Sequence, residues 1–379
     1  MKHSGMRNDA GLSLIELMVA LVIGSIMTLG IVEIFAASRT AAQTSEGLAR
    51  VQENSRFAMD YLQRDIRMIG HFGCANDQSH KQQVGAFGLH TGAAAGTPMD
   101  FSLSVQGFEA NGTGPGADLT LATPTAGWTP ALPAHISGLN PLPGSDIIML
   151  RFLRASGAPV SNIAAAGGGT TISVAPANWG NLTQEGVATP DIFGVADCSY
   201  VDIFPGTGNA TAGTATTSVA INRYTPHPSG QAALYRAEAV AYYVANGAGQ
   251  RPALWRTRWN AAGAAQSEEL VEGIENLQFI YGQDQSTNVN EPSGFVGAQN
   301  PANLLGVATT AVGEEAWRRV GLIRIGVLAS STTPAAAMAP ENDETRARAL
   351  GVRYIAPADG RLRAPYESTV ALRNRLFGN

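Results

Sequence analysis

The sequence predicts an α+β protein: one long N-terminal α-helix packed on a mainly antiparallel β-sheet globular domain. Two observations predict it. Residues from Leu12 to about Ile69 contain no proline and repeat apolar side chains at helical spacing. The remainder is rich in glycine, alanine and threonine, and breaks into short apolar runs between turn residues. A length of 379 residues suits one large domain or two smaller ones.

The helix changes character along its length. Up to Ile34 and Phe35 it is apolar nearly all round, with Glu33 the exception, as a membrane-spanning helix should be. Beyond Ser38 it becomes amphipathic. Leu48, Val51, Ala58, Leu62, Ile66 and Ile69 form one face, and Glu53, Arg56, Asp60, Arg64 and Arg67 the other. Glu46–Arg50 and Asp60–Arg64 are spaced for i,i+4 support. A continuous helix here is about 90 Å long at 1.5 Å per residue. Gly70 and Gly73 are its expected stop.

Residues 75–143 read as mostly loop with brief strands such as Leu119–Ala122. Stronger strands follow at Ser145–Leu153, Thr170–Ala175 and Cys198–Phe204. Ala239–Val244 and Ala253–Trp259 flank an Asn-Gly turn and predict a hairpin. Leu270, Ile274 and Leu277 share helical spacing, yet Val271, Ile274 and Phe279-Ile280 also suit bent strands. Both readings stand for 268–277. Val320–Ser330 is an apolar strand, and the tail from Arg361 is arginine-rich.

The N-terminus carries the sharpest signal. A leader containing Lys2, Arg7 and Asp9 precedes Gly11-Leu12-Ser13-Leu14-Ile15-Glu16-Leu17 and the apolar run. A carboxylate inside such a run is costly, so Glu16 is a functional hypothesis by default. The pattern resembles the class III signal of type IV prepilins. In that family a prepilin peptidase cuts after the glycine, here the Gly11–Leu12 bond, and methylates the new N-terminus, here Leu12. Major pilins usually carry phenylalanine where this chain has Leu12. The resemblance further implies that Glu16 pairs with the N-terminal amine of a neighbouring subunit and sets axial register. In a dry filament core each of those charges needs a partner. A signal anchor whose glutamate snorkels to the interface is the competing reading.

Further marks resemble PilW-type minor pilins. They are Arg56-Phe57-Ala58, Asp65-Ile66-Arg67, Gly70 and Gly73-Cys74 at the helix exit, Leu270 to Glu275 with Tyr281-Gly282 and Asp284, and Thr369 to Asn374. The resemblance implies a type IV pilin-like fold. Its divisions would be a cleaved leader (1–11), an apolar membrane or filament-core segment (12–37), an amphipathic half of the same helix (38–70) and a β-rich extracytoplasmic domain (71–379). By the positive-inside rule Lys2 and Arg7 stay cytoplasmic. Cys74 and Cys198 would then sit in an oxidising compartment, where a disulfide is expected. Closing so long a loop removes about 5 kcal/mol of unfolded-state entropy.

No HExxH, P-loop or GxSxG arrangement is present, so no catalytic residue, metal site or cofactor is expected. His71 reads as surface or loop. Asp284 to Glu291 places oxygens at alternate positions, as calcium loops do. However, Val289 replaces the usual turn glycine and Phe295 the bidentate glutamate, so an ordinary polar loop is expected. Trp255, Arg256, Arg258 and Trp259 form an aromatic-basic pattern, better read as two faces of a hairpin strand. The net charge of −5 argues against a sequence-independent nucleic-acid binder.

The expected function is that of a non-enzymatic minor pilin needed to initiate pilus assembly, at or near the tip. The implied partners are the prepilin peptidase, the inner-membrane assembly machinery, membrane lipid before assembly, the major pilin, other minor pilins and a PilY-type tip adhesin. Two alternatives stay open: a type II secretion pseudopilin of the GspJ sort, and a tip-exposed adhesion or binding module.

Overall fold

A computed structural model describes residues 13–74, 83–289, 291–335 and 344–376. The helix Leu14–Ile66 is unbroken over 53 residues, about 80 Å. It winds down through single-turn bonds at Met68, Ile69 and His71, and Gly70 adopts a left-handed φ of +79°. The regular helix therefore stops a few residues before the two glycines expected to end it. Gly73 is fixed twice over: φ is +95°, and a Cβ there would lie 2.4 Å from that of Ala196.

The amphipathic half lies on a four-stranded antiparallel sheet. Its order is Val296–Asn300, Ile274–Asp284, Val320–Ser330, Arg363–Ala371. Val51, Ala58, Met59, Leu62, Ile66 and Ile69 share one core with Leu277, Phe279, Ile325, Val327 and Val370 of that sheet. Leu48 departs from the expected face and is exposed. Gly47 is buried in its place, and a Cβ there would lie 2.5 Å from that of Ala335.

A second, thirteen-stranded sheet among the described residues is organised on the long strand Ala233–Asn246. The first residues of this strand pair with Ile192–Ala196 and Ala158–Ala166. Its middle pairs with Ile147–Leu153, and its end forms the expected hairpin with Pro252–Trp259. The strand thus changes partners along its length and joins an outer lobe, with its own core around Trp179, Phe193 and Phe204, to the rest. Pairing is mainly antiparallel; Phe87–Leu89 with Val201–Pro205, and Val352–Ile355 with Asp118–Thr120, run parallel.

Residues 268–277 resolve as two strands rather than a helix. Ala265–Glu272 is an edge of the large sheet, and Ile274–Asp284 is central in the helix-bearing one. Gly273, at φ +83°, is the corner between them; a Cβ would sit 2.7 Å from the Ser330 carbonyl oxygen. The bend shifts the alternation, which is why the apolar spacing mimics a helix. The short helix Ala311–Arg318, capped by Thr310, has no counterpart among the predicted elements. It seats buried Trp317 against Tyr281 at 4.8 Å between ring centroids.

A buried carboxyl pair ties the two sheets together. Asp146 accepts hydrogen bonds from the amides of Ala110 (2.8 Å) and Phe279 (2.9 Å), one in each sheet. Glu109 lies beside it and accepts from Thr113 (3.2 Å) and the amide of Ala302 (3.3 Å). Burial raises the pKa of both, that of Glu109 to about 7, and the two carboxyls hydrogen-bond each other. One proton is shared where two charges would repel. A folded pKa above the unfolded value means the folded chain holds more protons, so stability falls as pH rises through the interval. We expect the wild type to lose up to about 3 kcal/mol relative to Glu109→Gln between pH ~5 and pH ~8 in urea unfolding. An opposite or absent pH trend in the difference would refute the shared proton.

Candidate assembly site

The apolar half of the helix is exposed along its length among the described residues. Its most apolar 18-residue window has a mean hydropathy of 2.3 and none of it is buried. Length and composition suffice to cross a membrane. Its hydroxyls are satisfied by the helix itself: Ser25 donates to the Val22 carbonyl (2.8 Å) and Thr28 to that of Gly24 (2.7 Å). Nothing lies within 4 Å of a Cβ built at Gly24 or Gly30. Glycines with no intrachain reason, on a bare helix, suit close approach of another helix.

Glu16 stands in the first turn. Its carboxylate accepts from the Ser13 amide (3.0 Å), while the Ser13 hydroxyl accepts from the Glu16 amide (3.2 Å). This capping box satisfies two helix-end donors, and the helix dipole favours a negative charge there. Glu16 is therefore held pointing back toward the chain start. Gly11 and Leu12 lie outside the described residues.

The other half of the helix is gripped by polar contacts as well as by its apolar face. Thr44 donates to the Ala335 carbonyl, Asn54 to that of Glu272, and Gln63 to the Ser368 hydroxyl. Asn374, in the tail, donates to the Arg67 carbonyl. These contacts run the helix antiparallel to Val320–Ser330. Cys74 and Cys198 form a disulfide, 124 residues apart in sequence, that fastens the chain just past the exit. His71 is half-buried rather than a surface residue. It donates from Nδ1 to the Leu153 carbonyl (2.8 Å), and burial lowers its pKa.

The strongest anchor is a buried charge cluster that neither periodicity nor motif reveals. Asp65, fully buried, meets Arg154 at 3.1 Å and Arg256 at 3.4 Å and accepts from the Tyr242 hydroxyl at 2.6 Å. Arg154 also holds Glu238 (2.6 Å) and Glu185 (2.8 Å), and Arg256 holds Glu268 (2.7 Å). Burial alone would raise the pKa of Glu238, but Arg154, Arg236 and Arg258 outweigh it and hold the carboxyl at about 2. Arg64 turns to Asp65 (3.5 Å) and Glu185 (3.4 Å) rather than making the expected pair with Asp60; Glu46–Arg50 forms as expected. The signal available in sequence is the alternation Arg236-Ala237-Glu238 and Arg256-Thr257-Arg258. A strand places each set on one face. It also removes Arg256 and Arg258 from any open nucleic-acid surface.

The Asp284 loop is self-satisfied. The carboxylate accepts from the amides of Ser286, Ser293 and Gly294 and from the Ser293 hydroxyl, at 2.7–2.9 Å. Burial raises its pKa, but these bonds outweigh that and lower it. Asn290 of this loop lies outside the described residues. No group of three or more His, Cys, Asp or Glu placed to hold a metal occurs among the described residues.

An exposed apolar helix continuous with an amphipathic half on an antiparallel sheet is the architecture of type IV pilin-like proteins. Residues 6–32 match the prokaryotic N-terminal methylation motif, and residues 241–374 match the Type IV Pilus-assembly protein W family. Over the first residues of the chain and about its last third, the protein is thus similar to PilW-type minor pilins of the type IV pilus. No curated protein and no solved structure matches it. The matched region contains the four-stranded helix seat together with Tyr242, Arg256, Glu268 and Asn374.

Removing Asp65 leaves buried guanidinium groups without their carboxylate. Asp65→Ala should cost about 3–5 kcal/mol in urea unfolding of the full chain in detergent. Arg64→Ala, at a half-exposed position, should cost under about 1 kcal/mol. A small effect of Asp65→Ala would deny the cluster its anchoring role.

Proposed function

We propose that this minor pilin helps to start assembly of type IV pili and resides at or near the filament tip. The bare apolar helix beginning at the methylation motif carries the reading. Such a surface is tolerable only in lipid or against other helices. Cleavage between Gly11 and Leu12 would leave a cationic amine close to the first turn. Glu16, already turned toward the chain start, would exchange its intrachain cap for the amine of a neighbouring subunit. That exchange trades one neutral donor, the Ser13 amide, for a charged one, and charge-assisted hydrogen bonds are the stronger kind.

Before assembly the chain would sit in the inner membrane, with Lys2 and Arg7 inside and the β-domain in the periplasm. The positive-inside rule and the disulfide support that orientation. The prepilin peptidase, the membrane-embedded assembly machinery, the major pilin, other minor pilins and a PilY-type adhesin are the proposed partners. No catalytic role is proposed.

Mass spectrometry of filaments sheared from cells tests the reading. The expected finding is a peptide beginning at N-methylated Leu12, scarce beside the major pilin. The Glu16→Ala chain should still be cleaved, yet be missing from the sheared material. An intact Met1 leader would reduce the chain to a signal anchor. A processed chain confined to the envelope would favour the secretion pseudopilus.

A further inference from the structure

The helix-bearing sheet ends in two edge strands that are guarded differently. An edge offers unpaired backbone donors and acceptors to any other strand, and folds blunt it with charges and proline. The edge Arg363–Ala371 carries Arg363, Pro365 and Glu367. The edge of the large sheet at Ala265–Glu272 carries Glu268, Glu269 and Glu272. The remaining edge of the helix-bearing sheet, Val296–Asn300, reads Val-Gly-Ala-Gln-Asn and has neither charge nor proline. Gly297, Ala298 and Gln299 are all exposed, so both faces of the strand are open among the described residues.

The uncharged character extends past the strand. Between Glu291 and Glu314 no residue carries a charge. Phe295 is 70% exposed and Val312 80%, and Leu304 and Val307 between them are exposed as well. The strand is nevertheless firmly seated on its inner side. Asn300 donates to the Gln283 side chain (3.3 Å), and Val296 lies so close over Gly282 that a Cβ there would be 2.6 Å from it.

Its place in the fold limits what can reach it. Val296–Asn300 runs parallel to Val320–Ser330, since each is antiparallel to Ile274–Asp284. Its neighbours Tyr281 and Gly282 lie opposite Ile323 and Leu322, close to the Val320 end of that strand. The Val320 end is the one beside the helix exit, where Arg375 donates to the Val320 carbonyl and Asn374 to that of Arg67. Thr44, next to the apolar half, meets Ala335 at the other end. The unguarded edge is therefore at the end of the domain away from the bare helix. Two copies of the chain do not close it against each other. Antiparallel pairing of identical edges reverses the strand and the helix with it, and helices inserted in one membrane with their leaders on one side share a direction.

We infer that Val296–Asn300 is a docking edge that takes up an uncharged β-strand of a second, different extracytoplasmic protein. Main-chain hydrogen bonds would supply the attraction, and the exposed apolar side chains from Phe295 to Val312 would pack beside the added strand. A charged strand would be desolvated here without a partner, so the surface selects against it. The exclusion of a second copy rests on the membrane orientation proposed above.

Photo-crosslinking in cells tests the edge, with p-benzoylphenylalanine in place of Phe295 in the full chain. The expected result is an adduct with one other exported protein, mapped by mass spectrometry to an uncharged extended segment. Ala298→Lys, at an exposed position, should lower that adduct at least about tenfold while leaving the melting temperature of the chain unchanged. Gln299→Lys serves if Ala298→Lys does not fold. No adduct, an adduct with a second copy or with lipid alone, or one mapped to a charged segment would overturn the edge. So would an adduct of the same yield in the folded lysine variants. The N-terminal peptide is read separately from the same cells. An intact Met1 leader beside the expected adduct would overturn the filament role and leave the edge standing, and methylated Leu12 without an adduct would overturn the edge alone.

Discussion

Half of this molecule's longest element has no partner among the described residues of its own chain, and that constraint shapes the rest. An exposed apolar rod is a lever. Any pull on it is resisted only by the half that lies on the sheet. A purely apolar face resists separation but is non-directional and allows sliding and rotation. The polar contacts of Thr44, Asn54, Gln63 and Asp65 fix axial position and rotation together. Asp65 matters most because its partners come from three directions. Arg154 follows the strand Ile147–Leu153, and Tyr242 and Arg256 belong to the two strands of the hairpin. A shift of the helix would strand a charge in the core, which costs far more than a lost van der Waals contact.

The same logic explains the corner at Gly273 and the Glu109–Asp146 pair. The helix rests on one sheet, yet its deepest charge is answered from the other. The two sheets must hold a fixed relation for that to work. Gly273 turns the chain from one into the other without a loop, and Asp146 accepts an amide from each. A carboxyl pair that shares one proton does this inside an apolar core with a single negative charge rather than two, met by the amides of Ala110, Phe279 and Ala302.

Legibility in the sequence followed the physics of each signal. The helix was readable because an unbroken apolar run passes without proline into a long amphipathic repeat, and Val320–Ser330 because apolar burial on both sides leaves a continuous run. The helix seat was readable only in part. Val51, Ala58, Leu62 and Ile66 announce a buried face, but Gly47, Ser55 and Asp65 on that face are invisible to a count of apolar residues. Leu48 was misplaced because a close helix–loop approach selected a glycine one position earlier. Spacing at 268–277 was ambiguous because a corner glycine breaks the alternation. The charge cluster draws on residues from 65 to 268, and no local pattern encodes so distant a meeting.

The boundary of the family match falls between the helix seat and the outer lobe. The four-stranded sheet under the helix, with Tyr242 and Arg256, lies inside the matched region 241–374, and residues 186–192 of the outer lobe lie outside it. The lobe has its own apolar core and joins the domain through the first residues of one strand. It also reaches the helix seat: Glu185 pairs with Arg64 and Arg154, and Cys198 is bonded to Cys74 just past the helix exit. Arg236 and Glu238 sit at the joint and serve both sides. Arg154 links Glu238 to Asp65, so one charge network runs from the helix to that joint. The grip on the helix is therefore shared across the boundary of the family match: Arg256 and Glu268 lie inside it, and Arg154, Glu185 and Glu238 outside.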